Sequence, residues 1–173
     1  ATSGDVTTHA YIHQTGVYSV ELWLKATDYT TGGNFQMPIG NCGTSGNQKG
    51  IIISYSAATG VVYSSIGLGA ATIMGSMATA GGTLADNNWH HIVVTGDGLK
   101  NKIYFDGAWK VTSGSALYGG TAGDMDYALG IGRSNGIGYL MDGNYDDVAF
   151  YNYPLSEQQI KIHYVLGKNG LSP

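Results

Sequence analysis

Residues 18–26 read "YSVELWLKA", in which Tyr18, Val20, Leu22 and Leu24 alternate with Ser19, Glu21, Trp23 and Lys25. A period of two sends successive side chains to opposite faces of an extended chain, so the stretch reads as a β-strand with one fully apolar face. The same reading extends along the chain, with further strands expected at 9–13, 35–40, 51–56, 61–67, 89–96, 102–106, 108–112, 127–132 and 145–152. Connectors rich in Gly, Ser, Thr and Asn separate them, notably 40–50, 67–88 and 113–126. The clearest hairpin is "KIYFDGAWKV" at 102–111, because Asp106-Gly107 accepts the positive φ angles of a two-residue type I′ turn. Many short strands without alternating helices predict an all-β fold, an antiparallel β-sandwich or jelly roll.

One helix is readable, in "LSEQQIKIHYVLGKNG" at 155–170. Ser156 with Gln159 three residues on forms a capping box, and Gly167 reads as the stop, which predicts a helix over 157–166. Leu155, Ile160 and Tyr164 are expected to pack it on the sandwich. No solenoid or propeller repeat and no dividing linker is visible, so 173 residues at 43% hydrophobic content predict one domain over 1–173 with a sizeable core.

Charge excludes several partners. Only 12% of residues are charged, the net charge is −4, and the eight Lys and Arg are scattered from Lys25 to Lys168. Phosphate binding needs clustered basic side chains, so nucleic acid is not expected as a partner. The apolar runs are far too short to enter a bilayer as a spanning helix. The chain shows no initiator Met and no signal-peptide pattern, and reads as a mature or excised segment. Cys42 is alone and reveals no redox compartment. With 28 Gly, 13 Tyr and few charges, the composition is that of exported, virion or cell-surface β-proteins.

The adjacent carboxylates Asp146 and Asp147 stand out in so lightly charged a chain. In a regular strand they point to opposite faces and cannot flank one glycosidic bond, as a glycosidase requires. The glutamates are Glu21 and Glu157 alone, and Asp124 and Asp126 sit in a Gly-rich connector as a turn or a metal-binding loop. Neither a Gly-x-Ser-x-Gly elbow nor a His-Glu-x-x-His zinc helix is present. His90 and His91 face opposite sides of their strand. His9 and His13, about 13 Å apart if extended, do not form a metal site by themselves. "DGNYDD" at 142–147 begins like an EF-hand, but Asp147 and Tyr153 stand where that loop needs Gly and Glu.

Taken in order, "YSVELWLKA", "NNWHHIVVT", "KIYFDGAWK", "LGIGRS" and "YDDVAFYNYPLSEQQIKIHY" resemble the laminin G-like (LamG) jelly rolls of the concanavalin A-like lectin and glucanase superfamily, over about residues 17 to 167. The resemblance implies two packed antiparallel sheets with a short C-terminal helix, and it places Trp89 and His91 in the core. The Glu-x-Asp-x-x-Glu pattern of the superfamily's glucanases is absent. Asp142, Asn144 and Asp146 are spaced as oxygen ligands for calcium, and the family's structural calcium implies Asp146 with Asp5 from the N-terminus; the alternative is that Asp146 ties down the preceding turn while Asp147 faces solvent. Either way, Asp146→Ala is expected to cost more stability than Asp147→Ala.

Sugar rings need aromatic faces with polar groups beside them. Trp109 is the first candidate, with cross-strand packing on Tyr104 as its alternative. Tyr118, Tyr139 and Tyr29 lie in expected loops beside Arg133, Asn135, Asn144 and Asp126. Trp23 either lies between sheet and helix or lines a concave surface. The functional expectation is a non-catalytic carbohydrate-binding, lectin-like module for a glycan or polysaccharide, in an extracellular, cell-surface or virion setting. A structural or protein-adhesion domain meeting neighbouring protein subunits, as in a phage tail-fibre or head-decoration module, is the alternative. A glycosidase or lyase is the third.

Overall fold

The computed structural model describes residues 7–26, 35–41, 49–56, 59–68, 73–78, 84, 86–113, 127–133 and 140–171. In chain order its elements are α1 (Tyr11–Thr15), β1 (Val17–Ala26), β2 (Phe35–Gly40), β3 (Lys49–Ser56), β4 (Val62–Leu68), β5 (Ile73–Ala78), β6 (His90–Asp97), β7 (Asn101–Phe105), β8 (Ala108–Thr112), β9 (Gly130–Ile131), β10 (Gly143–Tyr151) and α2 (Glu157–Lys168). They form two five-stranded antiparallel sheets, ordered β10-β1-β6-β7-β8 and β5-β4-β3-β2-β9. This is the expected β-sandwich jelly roll with a short C-terminal helix.

The alternation in β1 decides where the core sits. Tyr18, Val20, Leu22 and Leu24 are fully buried between the sheets with Ile51, Ile53 and Tyr55 of β3 and Ile92 and Val94 of β6. Ser19, Glu21 and Trp23 are buried too, on the other face. There α2 closes over the sheet, seated by Leu155 and Ile160 on Val93 and Tyr104. Its capping box forms as the sequence predicts: Gln159 N–H donates to Ser156 Oγ and Ser156 N–H donates to Gln159 Oε1.

The Asp106-Gly107 turn has φ of 51° and 72°, both positive as a type I′ turn demands. Asp106 also locks the hairpin to its neighbour, since Oδ1 accepts the His91 N–H at 2.9 Å.

Three expectations change. Residues 9–13 do not form a strand: Tyr11–Thr15 is a short helix, stopped by Gly16 at φ 67°, whose N–H donates to Ile12 O. A short apolar run fits either period, and the left-handed glycine that ends the helix decides between them. The connector read over 67–88 contains β5, paired to β4. Gly167 lies inside α2, which continues to Lys168 and is capped at Asn169.

Candidate functional site

The outer face of β1, β6 and β10, together with the last turn of α2, encloses a cavity of about 490 Å³, lined by Trp23, Trp89, Asp146, Asp147, Tyr164, Gly167, Lys168 and Gly170. Trp23 stands on the face of β1 that α2 covers, so it is 7% exposed, its ring stacked on Tyr164 at 5.8 Å and 13° and tilted against His91 at 5.1 Å. Trp89 precedes β6 and is 42% exposed, so the aromatic and the histidine expected together in the core are divided, with His91 fully buried and the indole in water.

Glycine 167 is what lets helix and indole meet. An added Cβ would stand 2.6 Å from Cζ2 and Nε1 of Trp23, a largely buried ring packed against Tyr164 and His91 that cannot yield cheaply. Alanine would gain about 1 kcal/mol of helix propensity but overpack the contact by about 1–3 kcal/mol. Gly167→Ala is therefore expected to lower stability, by about 1 kcal/mol on balance. Unchanged or raised stability in urea unfolding would show that the indole moves aside.

The two aspartates reach this cavity through a β-bulge. Trp23 pairs with Asp146 and Glu21 with Ala149, so Asp147 and Val148 together oppose Leu22. Asp147 takes φ 45°, and Asp146 Oδ1 accepts its N–H at 2.9 Å. The extra residue breaks the two-residue period, and both exposed carboxylates line one cavity in place of the opposite faces a regular strand predicts. The expected order of stability effects reverses with it. Asp146→Ala removes one exposed hydrogen bond, whereas Asp147→Ala replaces a residue type that tolerates left-handed backbone by one that does so poorly, at up to about 1–2 kcal/mol. Asp147→Gly should be neutral by comparison, and thermal unfolding of the three variants checks this ordering.

Behind the aromatic floor lies a buried ionic cluster. Glu21, 2% exposed, is 2.6 Å from His91 Nε2 through Oε1, while His163 Nδ1 lies 3.0 Å from Oε2 and Tyr151 donates its hydroxyl to Oε2 at 3.0 Å. Burial pushes the Glu21 carboxyl up, but the hydrogen bonds and charges of His91 and His163 outweigh it and hold the group below the ordinary glutamate value. Desolvation and the neighbouring Glu21 charge push the Tyr151 hydroxyl well above its usual value. A second cluster lies at the start of β6, where His90 bridges Asp106 at 2.9 Å and Asp86 at 3.1 Å. The hydrogen bond to Asp106 raises its pKa.

Other expected site residues lie elsewhere. Trp109 is 55% exposed on β8, opposite Tyr104, with its Nε1–H donated to Thr112 Oγ1 at 3.0 Å. Arg133 is exposed beyond β9, in the other sheet, and bridges Leu140. Tyr29, Tyr118, Tyr139, Asn135, Asp124, Asp126 and Asp5 fall outside the described residues. Asp142 and Asn144 are exposed along the approach to and start of β10. Among the described residues no three His, Cys, Asp or Glu side chains gather to hold a metal ion, and Asp146 Oδ1 already accepts a backbone N–H. The described donors alone do not make a calcium cage.

Sequence reasoning placed Tyr164 in the helix contact and left Trp23 open, but missed Trp89 and Lys168 as cavity residues. The polar Asn87-Asn88 pair before Trp89 was the available signal that this indole stays near solvent.

The fold is shared with solved structures of low sequence identity. Botulinum neurotoxin type C, which enters cells dependent on interaction with two ganglioside molecules, is 13% identical at a TM-score of 0.62, covering 86% of this chain and 35% of that one. The binding domain of botulinum neurotoxin DC in complex with rat synaptotagmin II is 11% identical at 0.65, covering 95% and 38%. A mutant of Trypanosoma rangeli sialidase displaying trans-sialidase activity is 16% identical at 0.60, covering 90% and 24%. The chain thus spans less than two fifths of the length of these structures. No curated protein matches it. The Laminin_G_3 family pattern matches residues 1–161, most of the sandwich described above, and the chain belongs to that family of the concanavalin A-like lectin/glucanases superfamily.

Proposed function

We propose that this domain is a non-catalytic carbohydrate-binding module, extracellular or surface-displayed, whose glycan sits in the cavity between Trp23, Trp89 and Tyr164. The supporting observation is the cavity itself: aromatic rings for the C–H faces of a sugar, with the carboxylates of Asp146 and Asp147 at the rim for its hydroxyls. Its volume lies within the range of small-ligand sites. Trp109, on β8, is not part of it.

Binding without hydrolysis fits the carboxyl groups. A glycosidase's general acid needs a desolvated carboxyl with a raised pKa. Asp146 and Asp147 are exposed, and the buried Glu21 is held in the opposite direction by its histidines.

A glycan array with purified domain tests the reading. Trp89→Ala is expected to weaken a defined hit about tenfold or more, since an exposed indole can leave without disturbing the core. Trp109→Ala is expected to leave it unchanged. The opposite pattern would move the site to the β7–β8 hairpin, and a chelator arm reports whether calcium, implied by the family, contributes. Absence of any glycan hit would favour the adhesion reading. That reading has its own support in α2, where Ile162 and Val165 are each 48% exposed beside Gln158, Lys161 and Leu166.

A further inference from the structure

We propose that the glycan taken by this cavity carries a free, protonated amine, so that the domain selects de-N-acetylated amino sugars over neutral or anionic ones. The inference rests on the cavity being the glycan site and adds the ligand's charge.

A neutral sugar needs aromatic faces and hydroxyl partners, and carboxylates are one choice among many for the latter. Here the bulge at Asp147 brings two carboxylates to the same cavity, on a strand where a regular register would have sent one away. The same cavity is lined by the rings of Trp89 and Tyr164. Aromatic faces and carboxylates share one property, negative potential toward the ligand, and together they suit an ammonium group.

The molecule supplies its own example. Lys168 lines the cavity, and its Nζ stands 5.7 Å from the centroid of the Tyr164 ring, within the range of a cation–π contact. An ammonium of the chain thus already occupies the aromatic edge of the site. Beyond the lining, Glu21 and Lys25 each stand two residues from Trp23 on the same face of β1, opposite in sign, with Glu21 shared between His91 and His163. Among the lining residues, the two carboxylates outnumber the ammonium of Lys168, an excess of negative charge that disfavours anionic sugars.

Two substitutions isolate this effect without reshaping the site. Asp146→Asn retains a side-chain oxygen for the Asp147 N–H, and Asp147→Asn retains a residue that tolerates left-handed backbone. Lys168→Gln removes the competing ammonium.

The experiment is a glycan array carrying each saccharide in N-acetylated and free-amine form, followed by titration of glucosamine, N-acetylglucosamine and glucose tetramers of one linkage. The expected result is free-amine binding about tenfold tighter than its N-acetylated counterpart. Asp146→Asn with Asp147→Asn should erase that preference at unchanged melting temperature, and Lys168→Gln should widen the ratio of free-amine to N-acetylated binding. Equal binding of the two forms, with Trp89→Ala still weakening both, would overturn the amine preference and leave the cavity as a neutral-glycan site. Amine selectivity that survives the double Asn variant would overturn it as well. No hit in either form would overturn both readings.

Discussion

Glu21→Ala is expected to destabilise the fold by about 3–5 kcal/mol, the usual cost of removing one partner from a buried ionic contact. Glu21 is 2% exposed and holds His91, His163 and the Tyr151 hydroxyl together beneath α2. Its loss would leave two imidazoles and a phenol facing a void. Glu21→Gln keeps the shape and part of the hydrogen bonding, so it should cost less. Equilibrium urea unfolding measures both; a loss under about 0.5 kcal/mol for the alanine variant would mean that the cluster is water-filled and structurally idle.

The same carboxylate carries a pH signature. Because its folded pKa lies below the reference value of 4.5, its contribution is complete above that pH and is lost as pH falls through the folded value. The melting temperature of the wild-type domain should therefore fall more steeply below about pH 4.5 than that of Glu21→Gln. Parallel curves would assign the acid sensitivity to other carboxylates.

Leu22→Ala is expected to cost a further large amount, about 2–5 kcal/mol, by a different mechanism. Leu22 points into the core between the sheets and is completely buried, so truncation loses apolar burial and leaves a cavity that two packed sheets cannot collapse. Glu21 and Leu22 are neighbours in sequence but face opposite layers, so the two losses probe the two packing layers separately.

How far these effects were legible depends on how local their cause is. The apolar face of β1, the Asp106-Gly107 turn and the Ser156–Gln159 capping box each rest on residues a few positions apart, and all three form as read. Residues 9–13 were ambiguous because so short an apolar run satisfies both periods, and β5 was hidden in a Gly-rich stretch whose strand character comes from pairing with β4. The calcium assignment drew on a resemblance, and its Asp5 member lies outside the described residues.

The candidate site belongs to the non-local category. Asp146 and Asp147 were visible as an unusual pair, but their common orientation comes from an extra residue in β10 relative to β1, a register set between strands more than a hundred positions apart. Trp23 was visible on an alternating strand, yet only the seating of α2 against its ring chose between burial and a sugar-facing surface. Gly167, read as a helix stop from its position alone, lies inside the helix, where an indole occupies the space of a β-carbon. Fold class, strand faces, turn chemistry and the helix start were thus present in the chain's local pattern, since hydrophobic period and φ preference act over a few residues. The cavity was not, because its walls come from Trp23, Trp89, Asp146–Asp147 and Tyr164–Gly170, and contacts among such distant segments are chosen by packing rather than by any pattern within one of them.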